Sequence, residues 1–429
     1  MGCVYFQDRE IMSRDRSNLQ RGSSTGWLGW IRRRALPRCA QLCALLGLVI
    51  LGLWITGRVL TDQYRWSQYI WWVPAIWMVG SAWVCLGASA LLALFSRRLG
   101  GLFLRPASLI ACISCTGYLL IGVWHMHRVF SPDDKADNSI RIAHWNQSSK
   151  RVDQIGWAQA MLDQEADIVF VANSSWGEQR QELLDSFAPF APLARERWVN
   201  YSYRVHGEPA HYRVEGNALI ASRFPMIRTG LVYMHAPTNQ EDASFIGSSS
   251  GWVLFAEFDL SEAEPIPEST SESTSESLIV WFVDLPSDPA SWRQETMQNA
   301  SNAINSWNGR SWIMGRNVWE LSHTDGSFPE PDVIIGDFNT VRGSKSLRLL
   351  APNMNDAFSA VGYGRGRSWA PEIDNRILRQ PFKLADWHID LALVGAGWKP
   401  TRYRIEDTRQ WGRTEHRTQV LDLIVKTPE

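Results

Sequence analysis

Three long stretches without a charged residue occupy the first third of the chain. Residues 39–57 (CAQLCALLGLVILGLWITG), 66–96 and 106–124 (PASLIACISCTGYLLIGVW) carry no Asp, Glu, Lys or Arg. A helix needs about 20 apolar residues to cross a bilayer, and each run reaches that length. One such run could be a buried core helix, but three in succession with short Arg-bearing connections predict three transmembrane helices within residues 39–125. No small-residue cleavage pattern follows the first run, so it reads as a retained anchor and not a removed signal. Met1-Gly2-Cys3 is followed by Phe6 where an acylation signal needs Ser or Thr, so acylation is not expected.

Arginine counts beside the runs set the orientation. The tail, residues 1–38, carries Arg32, Arg33, Arg34 and Arg38, and the second connection carries Arg97, Arg98 and Arg105. The first connection has only Arg58 and Arg65, with Asp62. The tail and second connection are therefore expected in the cytoplasm, and everything after about residue 125 on the far side. Charge divides the same way: residues 1–125 hold 13 basic and 4 acidic residues, the remainder 30 and 40. An acidic domain is a poor general binder of long nucleic acid, because phosphate neutralisation supplies most non-specific affinity.

All six cysteines lie at or before Cys115. The larger part of the chain thus has no disulfide framework and no thiolate metal site. Cys112 and Cys115 form C-x-x-C inside an apolar run, and read as small packing residues.

Residues 126–139 read as a polar linker. Residues 140–149 alternate into a strand, 151–164 have helical spacing, and 167–172 form a second strand. Further strands are expected at 216–226, 251–260, 278–288, 332–340, 386–395 and 415–425. Residues 290–321 are mostly helical in pattern, and the acidic, repetitive 261–277 predicts a disordered insertion. Strands alternating with helices early and pairing with strands later predict an α/β fold, a four-layer α/β/β/α sandwich over 140–429.

The expected strands end on polar groups: Asn146, Asn173, Asp284, Asp337, Asn339, Asp390, Glu415 and His416. Any one of these alone is explained by turn propensity or a satisfied histidine; the ordered series is not. Gly-Asp-Phe-Asn at 336–339 is the most specific stretch. With HWN (144–146), DIVFVAN (167–173), GNALIASRFP (216–225), VDLPS (283–287), HIDLALV (388–394) and TEHR (414–417), the chain resembles the endonuclease/exonuclease/phosphatase superfamily, whose fold is DNase I-like. Membrane-anchored bacterial members are the nearest subgroup. The resemblance implies Mg²⁺- or Mn²⁺-assisted phosphodiester or phosphomonoester hydrolysis. Asp337 would orient or deprotonate water, Asn339 would help hold water and phosphate, and His416, oriented by Asp390, would stabilise the pentacoordinate oxyanion. Asn146 would help bind the metal.

The chain departs from that pattern at four places. Asn173 stands for the metal-binding Glu, Asp284 for a phosphate-contacting His, Leu391 for a His, and Glu415 for an Asp. Three accounts remain open. The carboxylate has relocated, with Asp284 and Glu415 joining Asn146 and Asn173 around the metal; or the domain is a catalytically silent phosphate-binding module; or it is a structural cap in a membrane complex. The expected setting is integral to a bacterial inner membrane, with the domain periplasmic or otherwise extracytoplasmic. The expected partners are the membrane and a phosphoester, lipid-linked or small, rather than long nucleic acid. Trp145, Trp176 and Trp369 could border the cleft or lie in the core.

Overall fold

The structure is a computed structural model. It describes residues 30–95, 104–130, 135–136, 138–147, 152–174, 182–183, 185–187, 210–215, 218–234, 251–261, 277–313, 318–321, 327–375, 380–383, 385–412 and 415–426. The insertion expected at 261–277 falls almost wholly outside these residues, as do most of the N-terminal tail, Arg97, Arg98 and Trp176. The chain divides into two units, Met1–Val59 with Val73–Leu119, and Leu60–Trp72 with Leu120–Glu429.

The first unit is built on three helices: α1 (Leu36–Leu60), α3 (Ala75–Phe95) and α4 (Leu104–Val123), with mean hydropathies of 2.1, 1.9 and 1.8. All three are long and apolar enough to cross a membrane. Small residues let their backbones approach, as expected where lipid supplies no hydrophobic drive for association. A Cβ on Gly47 would meet the Ala82 carbonyl at 3.3 Å, and Ser108 Oγ donates to the Ala44 carbonyl at 3.2 Å.

The second unit contains the sheet. Its strands are β1 (Ile140–Asn146), β2 (Ile168–Ala172), β3 (Ala210–Glu215), β4 (Ala218–Tyr233), β5 (Trp252–Asp259), β6 (Ser277–Asp284), β9 (Val333–Asp337), β10 (Asn355–Asp356), β13 (Asp390–Val394), β14 (Trp398–Glu406) and β15 (Thr418–Val425). They run in the order β10-β13-β9-β6-β5-β4-β2-β1-β15-β14, with β3 beside β4. The 16-residue β4 serves both halves: Leu219–Ser222 pair with β2, and Met226–Tyr233 with β5, with a register shift between Met226 and Arg228.

Three cores show how the halves stack. Ile168 and Phe170 of β2 share a core with Val280 and Phe282 of β6 and Ile335 of β9, so the two halves pack face to face. Val169 and Val171 point the other way, onto Trp157 and Met161 of α5 (Gln154–Asp163). Val283 and Ile334 likewise meet Met297 and Ala300 of α6 (Arg293–Asn305). The layers are therefore α/β/β/α. Burial on both faces explains the unbroken apolar run Ile168–Ala172.

Three expectations change. Residues 290–321 are helical only to Asn305; Arg310–Ile313 and Val318–Leu321 form a hairpin, β7 and β8. The second charge-free run is not one helix, because Pro74 cannot continue it; a short helix, α2 (Arg65–Trp72), precedes α3. Residues 60–72 were expected to belong to the membrane region and instead fold with the domain. Their polar side chains supply the reason: Asp62 and Gln68 are fully buried there, accepting from Ser346 N at 3.2 Å and Arg293 N at 2.9 Å.

Candidate active site

One edge of the sheet gathers the polar residues. Parallel strands β1, β2, β6 and β9 end there, at Asn146, just before Asn173, at Asp284 and at Asp337. Antiparallel β13 begins there at Asp390, and His416 precedes β15. Asp284, Asp337 and Asp390 lie opposite one another in register across β6, β9 and β13. Side chains alternate along a strand, so all three share the face that carries Phe282, Ile335 and Ala392 into the inter-sheet core. The site is the mouth of that core.

Two backbone features build the loops. Gly336 has φ +150 and lies so close to β6 that a Cβ would run into the Val283 carbonyl, which explains the Gly of Gly-Asp-Phe-Asn. Asn173 and Asn339 are left-handed, at φ +52 and +47; asparagine tolerates that region better than other chiral residues.

A chain of hydrogen bonds joins four strand ends. Asn173 Nδ2 donates to Asp284 Oδ2 at 2.8 Å and to Asn146 Oδ1 at 3.1 Å. Asn146 Nδ2 donates to Asp337 Oδ2 at 3.0 Å. Asn339 N donates to Asp337 Oδ1 at 2.8 Å, while its Nδ2 donates to the Leu285 carbonyl at 2.7 Å. Asn339 is thus a brace between two site loops. His416 Nδ1 lies 3.2 and 3.1 Å from the two Asp390 oxygens, and its Nε2 lies 3.7 Å from Asp337 Oδ2. Ser368 Oγ fixes Asp390 by accepting from its backbone N–H at 2.9 Å.

Electrostatics separate the roles. Burial alone would lower the His416 pKa, but the Asp390 and Asp337 carboxylates outweigh it and raise it to about 9. His416 is a cation at neutral pH, paired most tightly with Asp390. Asp337 has the more distant hold on that cation, and burial with the neighbouring Asp390 charge pushes its pKa well up. Burial likewise raises Asp284 to about 6, against the Asn173 hydrogen bond. Beneath them His144 is kept neutral by burial, near 4. It stacks on Phe170 at 5.1 Å and takes a 2.8 Å contact from Gln419.

Seven of the eight expected residues come together in this network. The eighth, Glu415, directly precedes His416. Its backbone carbonyl accepts from Ala370 N, and among the described residues the metal-capable group of His and acidic side chains is Asp337, Asp390 and His416. Of the tryptophans, Trp145 is fully buried beside Trp157 in the outer core, and Trp369 is half-buried with its ring 6.3 Å from His416.

Sequence reasoning missed two buried groups. Arg293 is fully buried, donates to the Pro286 and Asp288 carbonyls at 2.6 and 2.9 Å, and shapes the loop that follows Asp284. Gln147, next to Asn146, is fully buried, and among the described residues neither of its amide atoms has a hydrogen-bond partner. A polar residue directly after a strand-ending Asn was the available signal for Gln147; Arg293 offered none.

No family model and no curated protein matches the chain. Solved structures that resemble it are endonuclease/exonuclease/phosphatase proteins. One, from Bacteroides thetaiotaomicron, is 11% identical, covering 67% of this chain and 98% of its own, with a TM-score of 0.42. The mannosyl-6-phosphatase Bt3783 of the same organism is 13% identical over 67% and 100%, TM-score 0.41. D. rerio TDP2, complexed with a single-strand DNA product, is 13% identical over 67% and 100%, TM-score 0.40.

Could these residues hold a metal? His416 Nδ1 is committed to the two Asp390 oxygens at 3.2 and 3.1 Å. Asp284 and Asp337 offer two carboxylates, and Asn146 and Asn173 two amide oxygens. Hard oxygen donors with one or two carboxylates suit Mg²⁺ or Mn²⁺. The raised proton affinities of both carboxyls mark a place where a cation would offset buried negative charge. Asn173 would have to turn its amide oxygen inward, since its nitrogen now faces Asp284 and Asn146.

Proposed function

We propose that the domain hydrolyses a phosphoester, with a divalent cation held by Asp284, Asp337, Asn146 and Asn173. The observation that carries this reading is the buried Asp390–His416–Asp337 series, a cation fixed between two carboxylates where the strands end. Phosphoryl transfer needs an oriented nucleophile and fixed positive charge where phosphate oxygens gain negative charge. The bound cation would supply Lewis-acid stabilisation of those oxygens.

The protein groups divide the remaining chemistry among them. Asp337, with its raised proton affinity, takes the proton of the attacking water as the water oxygen bonds to phosphorus. Asn146 Nδ2–H and the Asn339 backbone N–H hold Asp337 in place. His416 donates from Nε2 to a phosphate oxygen, and Asp390 keeps the ring oriented and charged. The phosphorus–oxygen ester bond breaks, and the leaving oxygen takes a proton from solvent.

The alternative is a catalytically silent phosphate-binding module, favoured by Asn173, whose N–H groups fill the space between the oxygen donors. Turnover of bis(4-nitrophenyl) phosphate by the full chain with Mn²⁺, with Mg²⁺ and with chelator separates the two. Metal-dependent turnover is expected. Phosphate binding without turnover would leave the module.

A further inference from the structure

The connection Thr61–Trp72 is built into the rim of the site. Asp62 accepts from Ser346 N at 3.2 Å and from Ser346 Oγ, and Trp71 Nε1 donates to Ser344 Oγ at 2.9 Å. Both partners lie on the loop that leaves Asp337 and Asn339. Gln68 Nε2 donates to the Ser291 carbonyl at 2.9 Å, and Trp292 Nε1 donates to the Asp62 carbonyl at 3.2 Å. These partners lie on the loop that leaves Asp284. The Trp72 carbonyl accepts from Trp387 Nε1 at 2.7 Å, and the Trp387 ring lies 5.2 Å from Trp369, the neighbour of His416. Three site loops thus converge on one short connection.

The connection's helix is amphipathic in an inverted sense. α2 turns Ser67 and Gln68 into the domain and leaves Trp66 and Tyr69 outside, 54% and 52% exposed. Tyr64 is 48% exposed and stacks on Trp66, ring centroids 6.1 Å apart. Exposed Trp and Tyr are expected at the headgroup level of a bilayer, where one part of the ring is apolar and the rest wet. Chain continuity names the occupant of this face. Leu60 ends α1 and Ala75 begins α3, and both helices are long and apolar enough to span. The aromatic face is therefore joined within a few residues, at both ends, to chain suited to hydrocarbon.

We propose that α2 lies in the headgroup layer and holds the rim of the site there, so that the substrate is a phosphoester borne by a membrane lipid. The second clause rests on the phosphoesterase reading above. Two probes with one reacting group test it: hexadecyl 4-nitrophenyl phosphate carried in phosphatidylcholine nanodiscs that hold the full chain, and methyl 4-nitrophenyl phosphate in water. At matched bulk concentration the hexadecyl ester is expected to turn over at least about tenfold faster. Trp66→Ser with Tyr69→Ser is expected to remove most of that advantage and leave methyl-ester turnover within about twofold. Equal or faster turnover of the methyl ester, or a double variant that slows both esters alike, would overturn the lipid proposal and leave the phosphoesterase reading standing. Turnover of neither ester would overturn both.

Discussion

The Asn173 amide, through two donated hydrogen bonds, ties Asp284 to Asn146 and so to Asp337. That contact puts Asp284 at the position from which a carboxylate could compensate for the amide. Asp284→Asn is expected to weaken Mn²⁺ binding at least about tenfold, read by electron paramagnetic resonance; unchanged affinity would remove Asp284 from the metal site. Asp390→Asn removes the first of the charges that raise His416. The His416 titration is then expected to fall below about 9 by NMR, with turnover lower by about 10²–10⁴-fold, the range for a misplaced acid–base group. The sign of the pH dependence follows. His416 is raised in the folded state, so its stabilisation is full below about 6.5 and is lost as pH rises through about 9. Metal-free unfolding by urea is expected to show that loss in the wild type and not in Asp390→Asn. Seven of these residues were legible because each ends or begins a strand, where a polar side chain after an apolar run has little structural reason to be. Arg293 was invisible, since its role depends on a loop and a connection far away in the chain.

At the scale of elements, the strands with apolar runs were readable and the polar ones were not. β14, Trp398–Glu406, carries Lys399, Arg402, Arg404 and Glu406 on an edge of the sheet; edge strands use such charges to resist pairing with another chain, which hides the strand pattern. β7 and β8 were absorbed into a helical reading because four residues are too few for a period to show. The connection with α2 was hidden inside an uncharged run. Its anchoring makes a prediction. Gln68→Ala leaves Arg293 N and the Ser291 carbonyl without their partner, at a cost of about 1–3 kcal/mol. Hydrogen exchange is expected to quicken in residues 285–293 and to stay unchanged in β9 and β13. Exchange unchanged in the loop would show that the connection is not part of the domain's stability.

For the molecule as a whole, three helices are long and apolar enough to span; were all three to cross, the first connection and everything after α4 would share one side by parity, and both belong to one folded unit. We propose, from the Arg-rich tail and second connection, that this side is extracytoplasmic. A reporter active only outside the cytoplasm is expected to work when fused after the C-terminus and to fail when fused at residue 100; the reverse pattern would invert the topology. The layered architecture was legible from the order of elements, and its sheet edge collects chemistry that no single segment contains. The central claim is that this edge breaks phosphoesters through Asp337. Its most direct test compares the full chain with Asp337→Asn on bis(4-nitrophenyl) phosphate with Mn²⁺, both forms confirmed as folded. The account predicts turnover by the wild type and a loss of about 10²-fold or more in the variant. Equal rates in the two, or no turnover by a folded wild type, would contradict it.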